Sequence, residues 1–199
     1  MSVKIEAVGI REFNVIVNVP IYRQCKIDLD NYLEGVKKSR NATTKKGTID
    51  DIKEFFDAEK VAESKVYKDE NGYYFPTRQF KSAMIEAAKK FKDPQRGQTA
   101  TQRIKAGTKI AVDKIPLDKD KYKVYACLVK STGRQGGMVP TAWPEFHDVT
   151  LTIPIQVLDE FISMEFLRNI CQVAITMFGI GAGRPECGTG TIGDLVKVS

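Results

Sequence analysis

The 199-residue sequence contains few of the groups that enzymes and metal sites need. It has one histidine, His147, and four cysteines that lie far apart without a C-x-x-C pair, so no zinc signature is present. His147 lies beside Asp148 at the start of an alternating strand pattern, which is typical of a structural histidine. General acid–base catalysis needs a titratable group that is placed for proton transfer. We therefore predict a non-catalytic protein with no cofactor and no bound metal.

Long apolar runs are also missing. No charged and then apolar leader opens the chain, and no apolar run is long enough to cross a bilayer. These absences predict a soluble, reduced, cytoplasmic protein that does not engage membranes. With 42% hydrophobic residues the chain can form a proper core, and we expect a single domain over residues 1–199. The net charge of +6 fits a polyanionic partner, but soluble proteins without such a partner often carry a similar charge.

A glycine loop between Gly179 and Gly190 is the most informative local feature. It holds five glycines around Arg184 and lies between an apolar helix pattern and the last predicted strand. This order of helix, loop and strand excludes a dinucleotide fingerprint and a P-loop, both of which open a helix. Any anion binding there must come from loop N–H groups and Arg184. The alternative is a helix C-cap at Gly179 followed by a tight turn, which explains only one glycine well.

Periodicity predicts the first half of the chain as a strand, an insertion, a short strand and a helix. Alternating residues within 3–19 predict a strand that Pro20 ends. The polar, lysine-rich segment 22–70 is expected to be an insertion, with a helix from Ile49 to Ala62. Tyr73 to Phe75 predicts a short strand, and Pro76 opens a helix whose apolar positions recur with helical spacing as far as Phe91.

The second half is predicted to be mainly strands with one long helix. Residues 95–105 have no packing pattern and are expected to form a flexible basic loop. Strands are predicted over 109–115, 121–130 and 149–157, with Pro154 marking an edge or a bulge in the last of them. A glycine-rich connection over 131–140 carries Arg134. Asp159 is expected to cap a mostly buried helix, and a strand over 192–198 follows the glycine loop.

This order of elements predicts an α+β fold with a ferredoxin-like or RRM-like β-α-β-β-α-β core. The insertion over 22–70 falls between the first strand and the first helix. A sheet of this kind has helices on one face and leaves the other face open.

Two stretches of the sequence resemble motifs of the RAMP superfamily. Phe75-Pro-Thr-Arg-Gln-Phe-Lys-Ser-Ala-Met-Ile-Glu is similar to that family's "P-G-S-S-L-K-G-x-[LI]-R" segment, with Pro76, Phe80 and Lys81 in register. Gly179-Ile-Gly and Gly188-Thr-Gly resemble its glycine-rich loop. The superfamily contains RRM-like CRISPR backbone subunits and CRISPR RNA-processing endonucleases, and the chain looks most like a solitary, phage-encoded relative. The resemblance implies RNA binding and head-to-tail assembly.

Nucleic-acid binding requires basic groups that follow phosphates and rings on which bases stack. The sequence offers both, so we predict RNA or another single-stranded nucleic acid as the partner, with self-assembly into a homo-oligomer. The predicted stacking rings are Trp143 and Tyr73. The predicted nucleic-acid-binding residues lie in loops or at helix starts: Arg184, Gly181, Gly183, Gly188, Gly190, Arg78, Lys81, Arg134, Arg103 and Lys105.

Three alternatives stay open from the sequence. A pocket formed by Arg184, Arg134 and Trp143 would suit a small nucleotide signal, which a phage protein could sequester from host immunity. A structural assembly protein could use the insertion and the 133–140 loop for contacts between subunits. Finally, the tyrosines could pack beneath the insertion while the lysines only keep the protein in solution.

Overall fold

The computed structural model describes residues 9–26, 56–130 and 138–198. Most of the predicted insertion, including the first part of the helix predicted over Ile49 to Ala62, lies outside the described residues. The same is true of Arg134 and most of the 133–140 loop.

The described residues form eight strands and four α-helices. The helices are α1 (Ala58–Glu63), α2 (Arg78–Ala88), α3 (Thr101–Gly107) and α4 (Met164–Val173), and α4 continues as a π-helical turn over Ala174–Phe178. The strands are β1 (Arg11–Arg23), β2 (Lys68–Asp69), β3 (Gly72–Pro76), β4 (Thr108–Ile110), β5 (Lys114–Pro116), β6 (Lys123–Lys130), β7 (Met138–Val157) and β8 (Thr191–Lys197).

The main sheet is antiparallel and has the strand order β4-β7-β1-β8, with β6 pairing the first half of β7. The central pair is long, since β1 runs against β7 from Arg11 opposite Val157 to Arg23 opposite Glu145. A second, smaller antiparallel sheet has the order β2-β3-β5. The predicted α+β class is therefore confirmed.

The core lies between the helices and one face of the main sheet. Alternate β1 residues from Phe13 to Val19 are buried, as the sequence pattern predicts. They pack with the apolar face of α2, where Phe80 and Met84 have no exposed surface, and with Leu167 of α4. On the opposite face, Asn18, Thr150 and Thr152 are exposed.

Two strand boundaries differ from the prediction. Strand β1 does not end at Pro20 but continues to Arg23. Pro20 has no partner in the β1–β7 register, and Asp148 on the other strand has a positive φ of 50°. The proline, which has no N–H to donate, therefore lies where the regular pairing of the two strands is interrupted. Strand β7 begins at Met138 rather than near Val149, because its first half pairs with β6.

The predicted strand over 109–115 is in fact two short strands in different sheets, β4 and β5. Pro154 lies within β7 at the point where β4 ends. Its carbonyl accepts a hydrogen bond from Ala111 at 3.0 Å, but β4 pairing stops at Ile110, which lies opposite Ile155. No N–H is needed from the proline there, which explains how a central strand accommodates it.

The prediction of a flexible loop over 95–105 is wrong, because the residues from Thr101 onward form α3. The helix is held by Arg103, whose buried guanidinium lies 2.9 Å from Asp93 and 2.5 Å from Asp159. Asp159 does not cap the last helix, although its other carboxylate oxygen accepts a hydrogen bond from the Phe161 N–H at 2.9 Å. The cap is Ser163, whose side-chain oxygen accepts a hydrogen bond from the Phe166 N–H at 3.1 Å.

Candidate nucleic-acid interface

The end of β1 connects the parts of the molecule that carry the predicted binding residues. The Tyr22 hydroxyl donates to Gln79 of α2 at 3.0 Å. The Gln24 side chain accepts a hydrogen bond from the Tyr67 N–H at 2.6 Å, which fixes the segment before β2. The carbonyl of Arg23 accepts a hydrogen bond of 2.9 Å from the glycine loop. Because each of these contacts is buried or half-buried, the start of α2, the small sheet and the glycine loop hold fixed positions relative to β1.

A cleft of about 570 Å³ opens beside the start of α2, and we call it the basic cleft. Its walls come from α2, from β4 and from the small sheet. Its positively charged lining residues are Arg78, Lys81, Lys109 and Lys114, and its rings are Tyr67 and Tyr74. Among the residues that the structure describes, Asp113 is the one acidic lining residue, so the described lining carries an excess of positive charge. It is therefore suited to an anionic ligand.

The four basic side chains of the basic cleft differ in how strongly they already interact with other protein groups. Lys81 donates to the carbonyls of Ile104 at 2.8 Å and Thr108 at 2.5 Å, so its ammonium group supports the cleft floor. Burial lowers the pKa of Lys81 to about 8, which leaves it mainly protonated at pH 7. Lys109 is exposed, and Arg78 is exposed with a single long hydrogen bond of 3.5 Å to the Tyr67 hydroxyl. These two side chains are the most available to a ligand.

The remaining basic side chain of the cleft, Lys114, is shared between an acid and a ring. Its ammonium group lies 2.9 Å from a carboxylate oxygen of Asp69 and 4.5 Å from the centre of the Tyr74 ring. The carboxylate raises the pKa of Lys114 by accepting its hydrogen bond. Both partners are partly exposed, so water screens the pair and the lysine can exchange Asp69 for another anion.

The N-terminus of α2 adds backbone donors to the rim of the basic cleft. Thr77 occupies the N-cap position, but its hydroxyl donates to the Val112 carbonyl at 2.6 Å and makes no cap hydrogen bond. The first N–H groups of α2 therefore have no side-chain cap, and Thr77 and Arg78 both line the cleft. The partial positive charge of a helix N-terminus also favours an anion there.

The glycine loop is shaped by its packing against β1. Gly181 and Gly188 both have positive φ, 79° and 76°, and a Cβ on either would overlap a backbone carbonyl, that of Arg23 or that of Ile180. The Gly188 N–H donates to Ile21 at 2.7 Å, and the Gly190 N–H to Ile175 at 3.2 Å. The packing of the loop therefore explains why glycine is needed at these positions, without any ligand. Several loop N–H groups already donate hydrogen bonds to protein partners.

Gly179 is the C-cap of the last helical turn, as the simpler interpretation of the loop predicts. It has a φ of 64°, and its N–H donates to the Ala174 carbonyl at 2.9 Å. Gly183 also has a positive φ, 78°, and lies exposed near the Arg23 guanidinium. Of the loop residues, Arg184 presents the group that is best able to bind an anion.

Arg184 is exposed at the tip of the glycine loop, outside the basic cleft. It borders a shallow depression with Glu86, Met177 and Phe178. Within residues 9–26, 56–130 and 138–198 its guanidinium makes no ion pair or hydrogen bond, whereas Glu86 pairs with Lys89 at 2.7 Å. Arg184 can therefore reach a ligand, but at a separate point of contact.

Arg103 and Lys105 do not join the basic cleft. The Arg103 guanidinium is buried and bonded to Asp93 and Asp159, so it is not free to neutralise a phosphate. The hydrogen bond from Arg103 lowers the pKa of Asp93 to about 2. Lys105 is exposed on α3 and remains available to solvent.

The two predicted stacking rings already contact other protein groups. Tyr73 is half-buried, with its ring centre 5.3 Å from that of Phe146 in an edge-on arrangement. Trp143 stacks on Tyr125 at 6.2 Å, and the guanidinium of Arg23 covers the Tyr125 ring at 3.5 Å. Glu145 holds Arg23 in place through an ion pair of 2.6 Å. This stack fixes the β6–β7 hairpin to the end of β1.

Lys109, Lys114 and Tyr67 belong to the basic cleft but are absent from the predicted set. Lys109 and Lys114 come from two short strands in different sheets, and Tyr67 comes from the segment predicted as an insertion. Only the tertiary fold brings them to the start of α2. The one feature of the sequence that points to this cleft is the position of Arg78 and Lys81 at a predicted helix start, since helix N-termini favour anions.

The sole histidine does not combine with other groups into a metal site. His147 Nε2 lies 2.7 Å from a carboxylate oxygen of Glu145, whose other oxygen pairs with Arg23. Among the residues that the structure describes, no cluster of three or more His, Cys, Asp or Glu side chains could hold a metal ion. In the same part of the chain, no helix has the length and apolar character that a membrane crossing requires.

Comparison with known proteins finds a likeness of fold. No family model matches the sequence, and no curated protein does. A similar solved structure is a chain from the cryo-EM structure of the Type III-B Cmr-beta bound to cognate target RNA, with 12% identity and a TM-score of 0.51. The alignment covers 95% of this chain and 61% of that one, so the present chain spans about three fifths of its neighbour. At this identity the likeness establishes a shared fold alone.

Proposed function

We propose that this protein binds RNA or another single-stranded nucleic acid through the basic cleft, without catalysing a reaction on it. The observation that carries the proposal is the convergence of Arg78, Lys81, Lys109 and Lys114 around one opening at an uncapped helix start. Phosphates favour such a surface, because multiple basic contacts and backbone N–H groups neutralise them together. The rings of Tyr67 and Tyr74 form part of the same walls and suit a strand with unpaired bases.

The fold supports this proposal. The order β8-β1-β7-β4, with all neighbours antiparallel and helices following β1 and β7, supports the proposal of a ferredoxin-like β-α-β-β-α-β core. The structural neighbour is a chain from a structure of Cmr-beta bound to cognate target RNA. We propose that the chain is a relative of the RAMP superfamily, with one domain and an insertion, and that it assembles along its nucleic acid.

The cleft residues have different roles in this proposal. Arg78 and Lys109 contact phosphates directly, because they are exposed and weakly committed to protein partners. Lys81 supports the floor and Lys114 exchanges Asp69 for a phosphate. Arg184 makes an additional contact beyond the cleft. Arg103 has no part in binding, since its charge is neutralised by the carboxylates of Asp93 and Asp159.

The proposal is tested by fluorescence anisotropy with a labelled single-stranded RNA and an Arg78→Gln/Lys109→Gln double variant. We expect the double variant to weaken binding by about tenfold or more, because it removes two phosphate contacts. Lys90→Gln is the matched control, since Lys90 is exposed at the end of α2 and lies outside the cleft. Equal affinities of the double variant and the control would refute the cleft as the binding site.

A second variant, Arg184→Ala, tests the glycine loop separately. We expect a loss of about fivefold, the effect of one phosphate contact, across RNA sequences and without loss of folding. Circular dichroism checks the fold, and light scattering with and without RNA checks assembly. Unchanged affinity in a folded Arg184→Ala protein would remove Arg184 from the interface.

A further inference from the structure

A second cleft, of about 600 Å³, is lined by a different set of residues, between the segment before α3 and the turn before α4. We call it the Phe161 cleft. Its wall contains Leu158 and Phe161, two large apolar residues that are 39% and 43% exposed. A cleft of this size and with an apolar wall matches the usual dimensions of small-molecule sites.

The floor of the Phe161 cleft is an ion-pair network in which one guanidinium meets two carboxylates. Arg103 forms part of this floor. Its guanidinium is bonded to Asp93 and Asp159, so it is not available to a ligand as a free cation. Asp93 also accepts hydrogen bonds from the backbone N–H groups of Gln95 and Arg96 at 2.8 and 3.1 Å, which fixes the neighbouring loop. The Arg103 guanidinium lies 5.3 Å from the centre of the Phe161 ring, so the ring is held against the floor.

The rim of the cleft carries polar side chains without protein partners. Within the described ranges, the side chains of Arg96, Gln98, Gln102 and Glu160 make no hydrogen bond or ion pair, and all four are exposed. The two amides each offer donors and an acceptor, Arg96 offers donors and Glu160 offers an acceptor. With Arg96 and Glu160 of opposite charge, the rim does not select a simple anion.

We propose that the Phe161 cleft binds a nucleobase, with the base stacked on Phe161 and its polar edge hydrogen-bonded by Gln98 and Gln102. Bases are planar and apolar on their faces, and they carry donors and acceptors on their edges, which is the combination that this cleft complements. The base can belong to a free nucleotide or to an unpaired position of a bound strand. The proposal is independent of the basic cleft, and the two sources are separated by experiment.

The first test is isothermal titration calorimetry with AMP, GMP, CMP and UMP, each compared with ribose 5-phosphate, which lacks a base. Binding of at least one nucleotide, weakened about tenfold by Phe161→Ala and also reduced by Gln102→Met, is the expected result for a free-nucleotide site. Val196→Ala is the control, because Val196 is 52% exposed and apolar but lies on β8. Equal binding of ribose 5-phosphate would overturn the proposal, because it would show an anion site.

If free nucleotides do not bind, a single-stranded RNA that contains 2-aminopurine tests the strand as the source. We then expect the fluorescence of the probe to fall on binding and to recover in Phe161→Ala but not in Val196→Ala. No Phe161-dependent signal from either probe overturns the proposal. The Arg78→Gln/Lys109→Gln variant separates the two sites, since it should lose strand affinity while keeping any binding of free nucleotide.

Discussion

At the scale of single residues, Gly188 illustrates how close packing rather than ligand binding can demand a glycine. We predict that Gly188→Ala destabilises the protein by about 2 kcal/mol more than Gly97→Ala, measured by urea unfolding. Both glycines have positive φ, 76° and 64°, so both substitutions incur the same backbone cost of about 1 kcal/mol. Only Gly188 has a carbonyl where the Cβ would lie, whereas nothing approaches Gly97 within 4 Å. Equal losses would contradict this account of the loop.

Asp93 gives a prediction for pH. Its pKa is lowered to about 2 by the hydrogen bond from Arg103, so the carboxylate stabilises the folded state above about pH 4. This stabilisation is lost as the pH falls from about 4 towards 2. We therefore expect the free energy of unfolding of the wild type to fall more steeply over this window than that of Asp93→Asn. Parallel curves in acid unfolding monitored by circular dichroism would rule out this role for Asp93.

The same residues show which parts of the site the sequence can reveal. Arg78 and Lys81 can be located because a helix start is visible in the sequence, and Arg184 because the glycines mark a loop. The buried state of Arg103 could not be predicted, because its partner Asp159 lies 56 residues away along the chain. A basic residue in a segment without apolar periodicity gives no sign of such a distant carboxylate.

At the scale of elements, α4 depends on its true cap. We predict that Ser163→Ala destabilises the protein by about 1 kcal/mol, because the Phe166 N–H loses its hydrogen bond to the serine oxygen. Ser82→Ala is the control, since Ser82 is exposed in the middle of α2 and alanine favours helix. Thermal unfolding measures both. A loss no larger for Ser163→Ala than for Ser82→Ala would contradict the assignment of the cap.

Elements with strong periodicity could be predicted, and elements that depend on distant partners could not. Helix α2 and the alternating half of β7 follow directly from apolar spacing. Helix α3 could not be predicted, because it is only seven residues long and is held by an ion pair rather than by a wide apolar face. The first half of β7 contains Pro140 and Pro144, which argue against a strand locally, but β6 pairs with both positions.

At the scale of the whole molecule, the arrangement predicted as β-α-β-β-α-β places α2 and α4 on one face of a central antiparallel sheet. The end of β1 then brings the start of α2, the small sheet and the glycine loop together. The sequence could predict the α+β class but not this meeting point, because the meeting point depends on hydrogen bonds that the side chains of Tyr22 and Gln24 make with distant segments. The basic cleft is a product of the tertiary fold.

The central claim, that the basic cleft contacts phosphates of a single strand, is tested most directly by the salt dependence of RNA affinity. For single strands, each phosphate contact contributes about 0.7 to the slope of the logarithm of affinity against the logarithm of salt concentration. We predict a steep slope for the wild type and for Lys90→Gln, and a slope shallower by about 1.4 for Arg78→Gln/Lys109→Gln. Identical slopes for all three proteins, or an affinity that salt does not change, would contradict the claim.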